Sequence, residues 1–181
     1  MASSYSSDLK IELMATGENA GTWGTKTNNN LNLAQQAIAG YEAISAAASD
    51  VTLAMSDGTI SNARNATIKL TGTLAANRTV TCPDSIEKVY NIIDGTDHAG
   101  NTLTFKTASG SGVLLCEGNC YLLYADGTNV VKASEYRKWR TVSASETVQA
   151  GAKLFVATNG GAVTITLPAS PAVGDEVTFV D

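Results

Sequence analysis

Thr79-Val-Thr-Cys-Pro-Asp-Ser-Ile-Glu-Lys-Val-Tyr-Asn-Ile-Ile-Asp94 returns later in the chain as Thr164-Ile-Thr-Leu-Pro-Ala-Ser-Pro-Ala-Val-Gly-Asp-Glu-Val-Thr-Phe-Val-Asp181. Thr79 and Thr164 stand 85 residues apart, as do Pro83 and Pro168. In both copies an alternating stretch runs into proline, crosses a short polar turn and enters a second alternating stretch ending in Asp. Alternation with period two marks a strand with one buried face. Proline ends such a strand because it has no N–H for the ladder. The pair predicts two tandem β-modules. The first continues past Asp94 to about Lys132, whereas the second reaches Asp181 in mid-module. A half-module cannot bury its apolar face alone. The expectation is a chain that continues further, or a second chain that completes this one.

Around the first copy, short alternating runs recur with turn residues between them. They are Val51–Met55, Ala66–Thr71, Arg78–Cys82, Lys88–Ile93, Thr102–Thr107, Gly112–Cys116, Cys120–Tyr124 and Asn129–Lys132. Asp126-Gly127 is a strong tight-hairpin signal. Regularly spaced short strands predict a mainly β fold, either a β-sandwich or an open barrel. The second module should start near Trp139, with strands at Lys153–Val156, Ala162–Leu167 and Glu176–Val180. Its uncharged Thr/Val/Ile run would be an aggregation-prone edge if left unpaired.

The first 50 residues differ. Leu9, Ile11 and Leu13 alternate with Lys10 and Glu12, as in a short strand. A glycine-rich loop holding Trp23 follows, and Asn28, Asn29 and Asn30 are N-cap candidates. A helix is expected from about Asn29 to Ala39, with Leu31, Ala34 and Ile38 on one face and Leu33, Ala37 and Tyr41 on the next. Gly40 is expected to stop it in the left-handed conformation. Three turns are marginal alone in water, so the helix needs packing partners, and Trp23 is expected to anchor this small core. Residues 43–50 read as a linker or a helix tail. The organisation is therefore 1–50 as an N-terminal segment, 51–135 as the first β-module and 139–181 as the second.

Composition narrows the function. Net charge is −5, and charged residues make up 16% of the chain, below the roughly 25% of ordinary soluble domains. The basic run Arg137-Lys138-Trp139-Arg140 sits between the modules and reads as a solvated joint, which argues against nucleic acid as a partner. No apolar run reaches the roughly 20 residues of a membrane span, and the first residues lack a Sec-type signal pattern. Cys82, Cys116 and Cys120 are odd in number and read as reduced thiols. Cys116 and Cys120 with His98 lack the spacing of a zinc site. His98 is expected to be a solvated loop residue. Asp94, Asp97 and Asp126 read as turn residues rather than cation ligands. No catalytic constellation, cofactor motif or metal site is expected.

Thr16-Gly-Glu-Asn-Ala-Gly-Thr-Trp-Gly-Thr-Lys-Thr-Asn-Asn-Asn30, followed by a helix ending Ala37-Ile-Ala-Gly40, resembles the start of tail-fibre and related virion structural proteins of tailed bacteriophages, especially marine ones. Asp50-Val-Thr-Leu, Asn62-Ala-Arg-Asn-Ala-Thr-Ile-Lys-Leu, Arg78-Thr-Val-Thr-Cys-Pro and Tyr124-Ala-Asp-Gly-Thr-Asn-Val-Val131 are similar to the module that follows there. The resemblance implies a non-enzymatic virion protein, assembled in the bacterial host cytoplasm. It implies a homotrimeric fibre whose N-terminal part docks to tail, baseplate or neck proteins. Leu9, Ile11, Leu13, Trp23, Leu31 and Ile38 are the candidate docking residues. The alternatives are a neck, collar or capsid-decoration protein complete in itself, and a carbohydrate-binding module of a host-recognition protein.

Overall fold

The computed structural model describes every residue except Met1, Arg137, Lys138 and Gly174. Two short strands, β1 (Ser4–Tyr5) and β2 (Glu12–Leu13), pair antiparallel ahead of the helix α1 (Trp23–Ala39). The chain then alternates between two sheets. β3 (Tyr41–Ser45), β5 (Thr67–Thr73) and β7 (Glu87–Asp97) pair in parallel in one of them. β4 (Val51–Thr52), β6 (Arg78–Cys82) and β8 (Leu103–Thr107) pair in parallel in the other. Each successive pair is one rung of a coil. The coil closes when the chain reverses. β9 (Gly112–Leu115) runs antiparallel on β8, β10 (Cys120–Asp126) antiparallel on β7, and β11 (Val130–Tyr136) antiparallel on β10.

A second coil follows with the same plan. β12 (Trp139–Val142), β14 (Lys153–Val156) and β16 (Thr178–Val180) pair in parallel, and β13 (Glu146–Thr147) pairs in parallel with β15 (Ile165–Thr166). The sequence repeat is thus one corner of each coil. β6, Pro83 and β7 correspond to β15, Pro168 and β16. In the first coil β10 covers the far edge of β7. Among the described residues no strand pairs with the far edge of β16, and all three of its residues are exposed.

The mainly β expectation holds, while a β-sandwich is not confirmed. The arrangement is solenoid-like: a strand's neighbour lies one rung away, and the chain visits the opposite sheet in between. Alternating burial is the same whether the neighbour comes from a hairpin or from the next rung, so the period of two does not separate the topologies. The Asp126-Gly127 hairpin between β10 and β11 is present, with Gly127 at φ 85 and the Asp126 carboxylate accepting from the N–H groups of Thr128 and Asn129. Residues 43–50 are not a linker. Tyr41–Ser45 is the first rung strand, and Ala46 is wholly buried.

The core lies between the sheets of the first coil. Ile68, Leu70, Val80, Tyr90, Ile92, Leu103, Phe105, Leu115 and Leu123 are wholly buried, each contributing roughly 1.5–3 kcal/mol by removal from water. Tyr90 and Phe105 pack as a tilted pair with centroids 5.4 Å apart. Two charged groups enter this interior. Lys88 Nζ donates to the Asn65 carbonyl at 2.8 Å and to the Val89 carbonyl at 3.1 Å, and lies 4.0 Å from the centre of the Tyr90 ring. Burial pushes its ammonium down to about 8. Asp94 accepts at one oxygen from the Thr96 amide and hydroxyl, and its other oxygen lies 2.8 Å from His98 Nε2. His98 is therefore a buried partner of Asp94, not a solvated loop residue, because a buried carboxylate needs donors.

Candidate docking face

α1 begins six residues earlier than expected. Thr22 precedes it, and Asn28–Asn30 lie within the helix rather than at its cap. Asparagine is a poor helix-interior residue, but here tertiary hydrogen bonds offset that cost. Asn29 Nδ2 donates to the Gly58 carbonyl at 2.8 Å. Asn30 Nδ2 donates to the Glu12 carbonyl at 2.8 Å, and its oxygen accepts from the Glu12 amide at 3.1 Å. The helix ends at Gly40, which is extended (φ −66, ψ 139) and not left-handed. Glycine is required there for room: a Cβ would lie 2.3 Å from the Gln36 carbonyl oxygen and 2.5 Å from Asn65 Oδ1.

The side of α1 that meets the β-body is mostly polar. Lys26 pairs with the buried Glu12 at 2.9 Å, and this ammonium holds the Glu12 carboxyl below its ordinary value. Gln36 Nε2 donates to the Ser61 carbonyl at 3.1 Å. Leu33 is the buried residue of the helix. Arg64, wholly buried, ties the region together. Its guanidinium donates to the carbonyls of Leu9 at 2.9 Å and Ser56 at 2.7 Å, to the Thr59 carbonyl, to Ser61 Oγ at 3.1 Å and to Gln36 Oε1 at 3.4 Å. Burial pushes the guanidinium pKa down.

An apolar stripe adjoins that side, with its three largest side chains in water. With 3.6 residues per turn, Trp23, Thr27, Leu31, Ala34 and Ile38 fall within an arc of about 80°. Trp23 is 62% exposed, Leu31 62% and Ile38 80%. Trp23 is thus not a core anchor; polar bonds seat this helix and leave the ring outside. A groove of about 350 Å³ runs beside the stripe, lined by Asn32, Gln35, Ala39, Tyr41 and Ile60. Tyr41 and Ile60 are also exposed.

The six candidate docking residues therefore separate. Trp23, Leu31 and Ile38 share one outward stripe. Leu9 and Ile11 are half-buried, and the Leu9 carbonyl is occupied by Arg64. Leu13 is exposed while Glu12 is buried, the reverse of the expected alternation. Lys10 at φ 53 breaks the run, so it does not continue as one strand. The polar partners Asn29, Asn30, Gln36 and Arg64 were not among the expected residues. The signal available for the helix residues was the number of amide side chains in one helix, which can hydrogen-bond to a neighbour.

The two coils meet at a polar cleft of about 380 Å³ lined by His98, Glu117, Arg140, Glu146 and Gln149. Arg140 and Glu146 form an ion pair there, and Cys116 Sγ contacts the Ala150 carbonyl. Of the basic run between the modules, Trp139 packs on Phe155 with centroids 4.8 Å apart, and Arg137 and Lys138 lie outside the described residues. No group of His, Cys, Asp and Glu that would hold a metal occurs among the described residues, and none of their helices is long and apolar enough to cross a membrane. Comparison with known proteins finds no family, no curated protein and no solved structure that matches the chain.

Proposed function

We propose that the chain is a virion structural protein of a tailed bacteriophage, the N-terminal anchoring part of a tail fibre. Residues 1–50 carry the assembly surface, and the tandem coils lead away from it. The observation that carries this reading is the outward apolar stripe of α1. A helix fastened by hydrogen bonds, with Trp23, Leu31 and Ile38 in water, has its hydrophobic stabilisation still to gain from a partner. Stacked rungs with neutral, hydroxyl-rich outer faces suit a repetitive structural element. The partners in this reading are tail, baseplate or neck proteins, together with further copies of the chain in a homotrimer.

The test is Trp23→Ala in particles produced in the native host. Fibre copy number per particle, measured by quantitative mass spectrometry, is expected to fall. Unchanged copy number would sink the anchoring role of this face.

A further inference from the structure

We propose that the first coil holds a site for an intramolecular isopeptide bond, in which Lys88 Nζ condenses with the side-chain amide of Asn65 and ammonia leaves. The residues come together from neighbouring strands of one sheet. Glu42 lies on β3, Asn65 stands just ahead of β5, and Lys88 lies on β7, with β5 between the other two strands. The site is independent of α1's outward stripe and of the anchoring role.

Each group has the surroundings its part requires. The nucleophile is Lys88, which is buried against the Tyr90 ring. Its hydrogen-bond partners among the described residues are two carbonyls and no carboxylate. A desolvated ammonium without a counter-ion gives up its proton more readily, and a folded value of about 8 leaves neutral amine available in mildly alkaline solution. The neutral amine is the attacking species. The electrophile is Cγ of Asn65, also a buried residue. Nζ already rests 2.8 Å from the backbone carbonyl oxygen of Asn65, and covalent geometry keeps Cγ within about 5 Å of that oxygen. A change of lysine rotamer covers the difference. The amide itself is held at both ends. Its Oδ1 accepts from Gln36 Nε2 at 3.3 Å, and its Nδ2 donates to Glu42 Oε2 at 2.8 Å.

The step balances and needs no oxidant. Lys88 Nζ loses a proton and bonds to Cγ. Negative charge collects on Oδ1, where Gln36 donates. Glu42 relays the proton to Nδ2, the Cγ–Nδ2 bond breaks and ammonia departs. The product is one Nζ–Cγ amide that ties β7 to the start of β5 and closes the rung covalently around residues 66–87. The pH dependence of a free Lys88 ammonium belongs to chains that have not reacted.

The test incubates the folded 181-residue chain at about pH 9, then measures the intact mass after denaturation and maps tryptic peptides by tandem mass spectrometry. The expected result is a loss of one ammonia, about 17 Da, from the 18.7 kDa chain, with a branched peptide joining Lys88 to Asn65. Lys88→Arg keeps the positive charge and is expected to form no branched peptide. If Lys88→Arg does not fold, Glu42→Gln is the second variant, expected to slow the reaction at least about a hundredfold with circular dichroism unchanged. A folded native chain that yields no branched peptide overturns the proposal. So does an ammonia loss that maps to a succinimide at Asn159-Gly160. A branched peptide formed at the native rate in Glu42→Gln overturns the part assigned to Glu42.

Discussion

Replacing Arg64 tests whether α1 is held to the β-body by hydrogen bonds rather than by a hydrophobic core. Arg64 reaches five acceptors contributed by the N-terminal segment, α1 and the loop after β4. No carboxylate lies among them, so the guanidinium is stabilised by carbonyl and hydroxyl dipoles alone. Arg64→Ala removes all five bonds and leaves buried carbonyls without donors. Each charged hydrogen bond is worth roughly 1.5–3 kcal/mol, but relief of the buried cation's desolvation cancels much of the sum. A net loss of about 3 kcal/mol follows, equivalent to roughly 6–12 °C in melting temperature for a chain of this size. Arg64→Lys is expected to recover only part of it, because a lysine ammonium has three donors and no planar fork. The loss should be local. Amide hydrogen exchange is expected to speed up across α1 and the Leu9–Leu13 segment, while Ile68, Ile92 and Leu123 keep their protection. Unchanged α1 protection together with an unchanged melt in Arg64→Ala would refute this account.

Lys88 supplies a pH dependence. Its folded value of about 8 lies below its ordinary 10.5, so between these values the unfolded chain holds more protons and stability rises with pH. The gain is at most about 1.4 kcal/mol per pH unit, best measured by denaturant melts between about pH 8 and 9, because the Cys82 thiol, pushed up to about 11 by burial, opposes it at higher pH. Lys88→Met should abolish the slope, and a slope that persists would assign it to another group. Ile92 and Phe179 occupy equivalent inward positions in the two coils, yet Ile92 is wholly buried and Phe179 is 59% exposed. Ile92→Ala should therefore cost about 3 kcal/mol and Phe179→Ala less than about 1 kcal/mol in the 181-residue chain, measured by urea unfolding; equal costs would contradict the exposure of Phe179. Trp23 should be quenched freely by iodide in dilute solution and shielded in the assembled state, whereas Trp139, packed at a tilt on Phe155, should change little.

The repeat at Thr79 and Thr164 is legible in sequence because each copy spans one corner, and a corner is a local feature: strand, proline, turn, strand. The pairing partners were not local. β5 pairs with β3 and β7, each about one rung away in sequence, and nothing in a period-two pattern states which strand lies alongside. The helix start was misplaced for a similar reason. The asparagine run signals caps when its side chains bond their own backbone, but Asn29 and Asn30 bond Gly58 and Glu12 instead. The pattern puts Leu31 and Ile38 on one helix face and Trp23 in the preceding loop, so the outward stripe they share depends on a longer helix and on how its polar side is occupied. His98 appeared solvated because its partner, Asp94, becomes buried only when β7 runs on through residues the sequence marks as loop.

The most direct test of the central claim is a photo-crosslinking amino acid at Leu31 in chains assembled into native particles. The account predicts that the chain is recovered in purified particles and that position 31 crosslinks efficiently to protein, with fragments identifying another copy or a tail, baseplate or neck protein. Absence of the chain from particles, or a position 31 that remains uncrosslinked while the chain is present at full copy number, would contradict it.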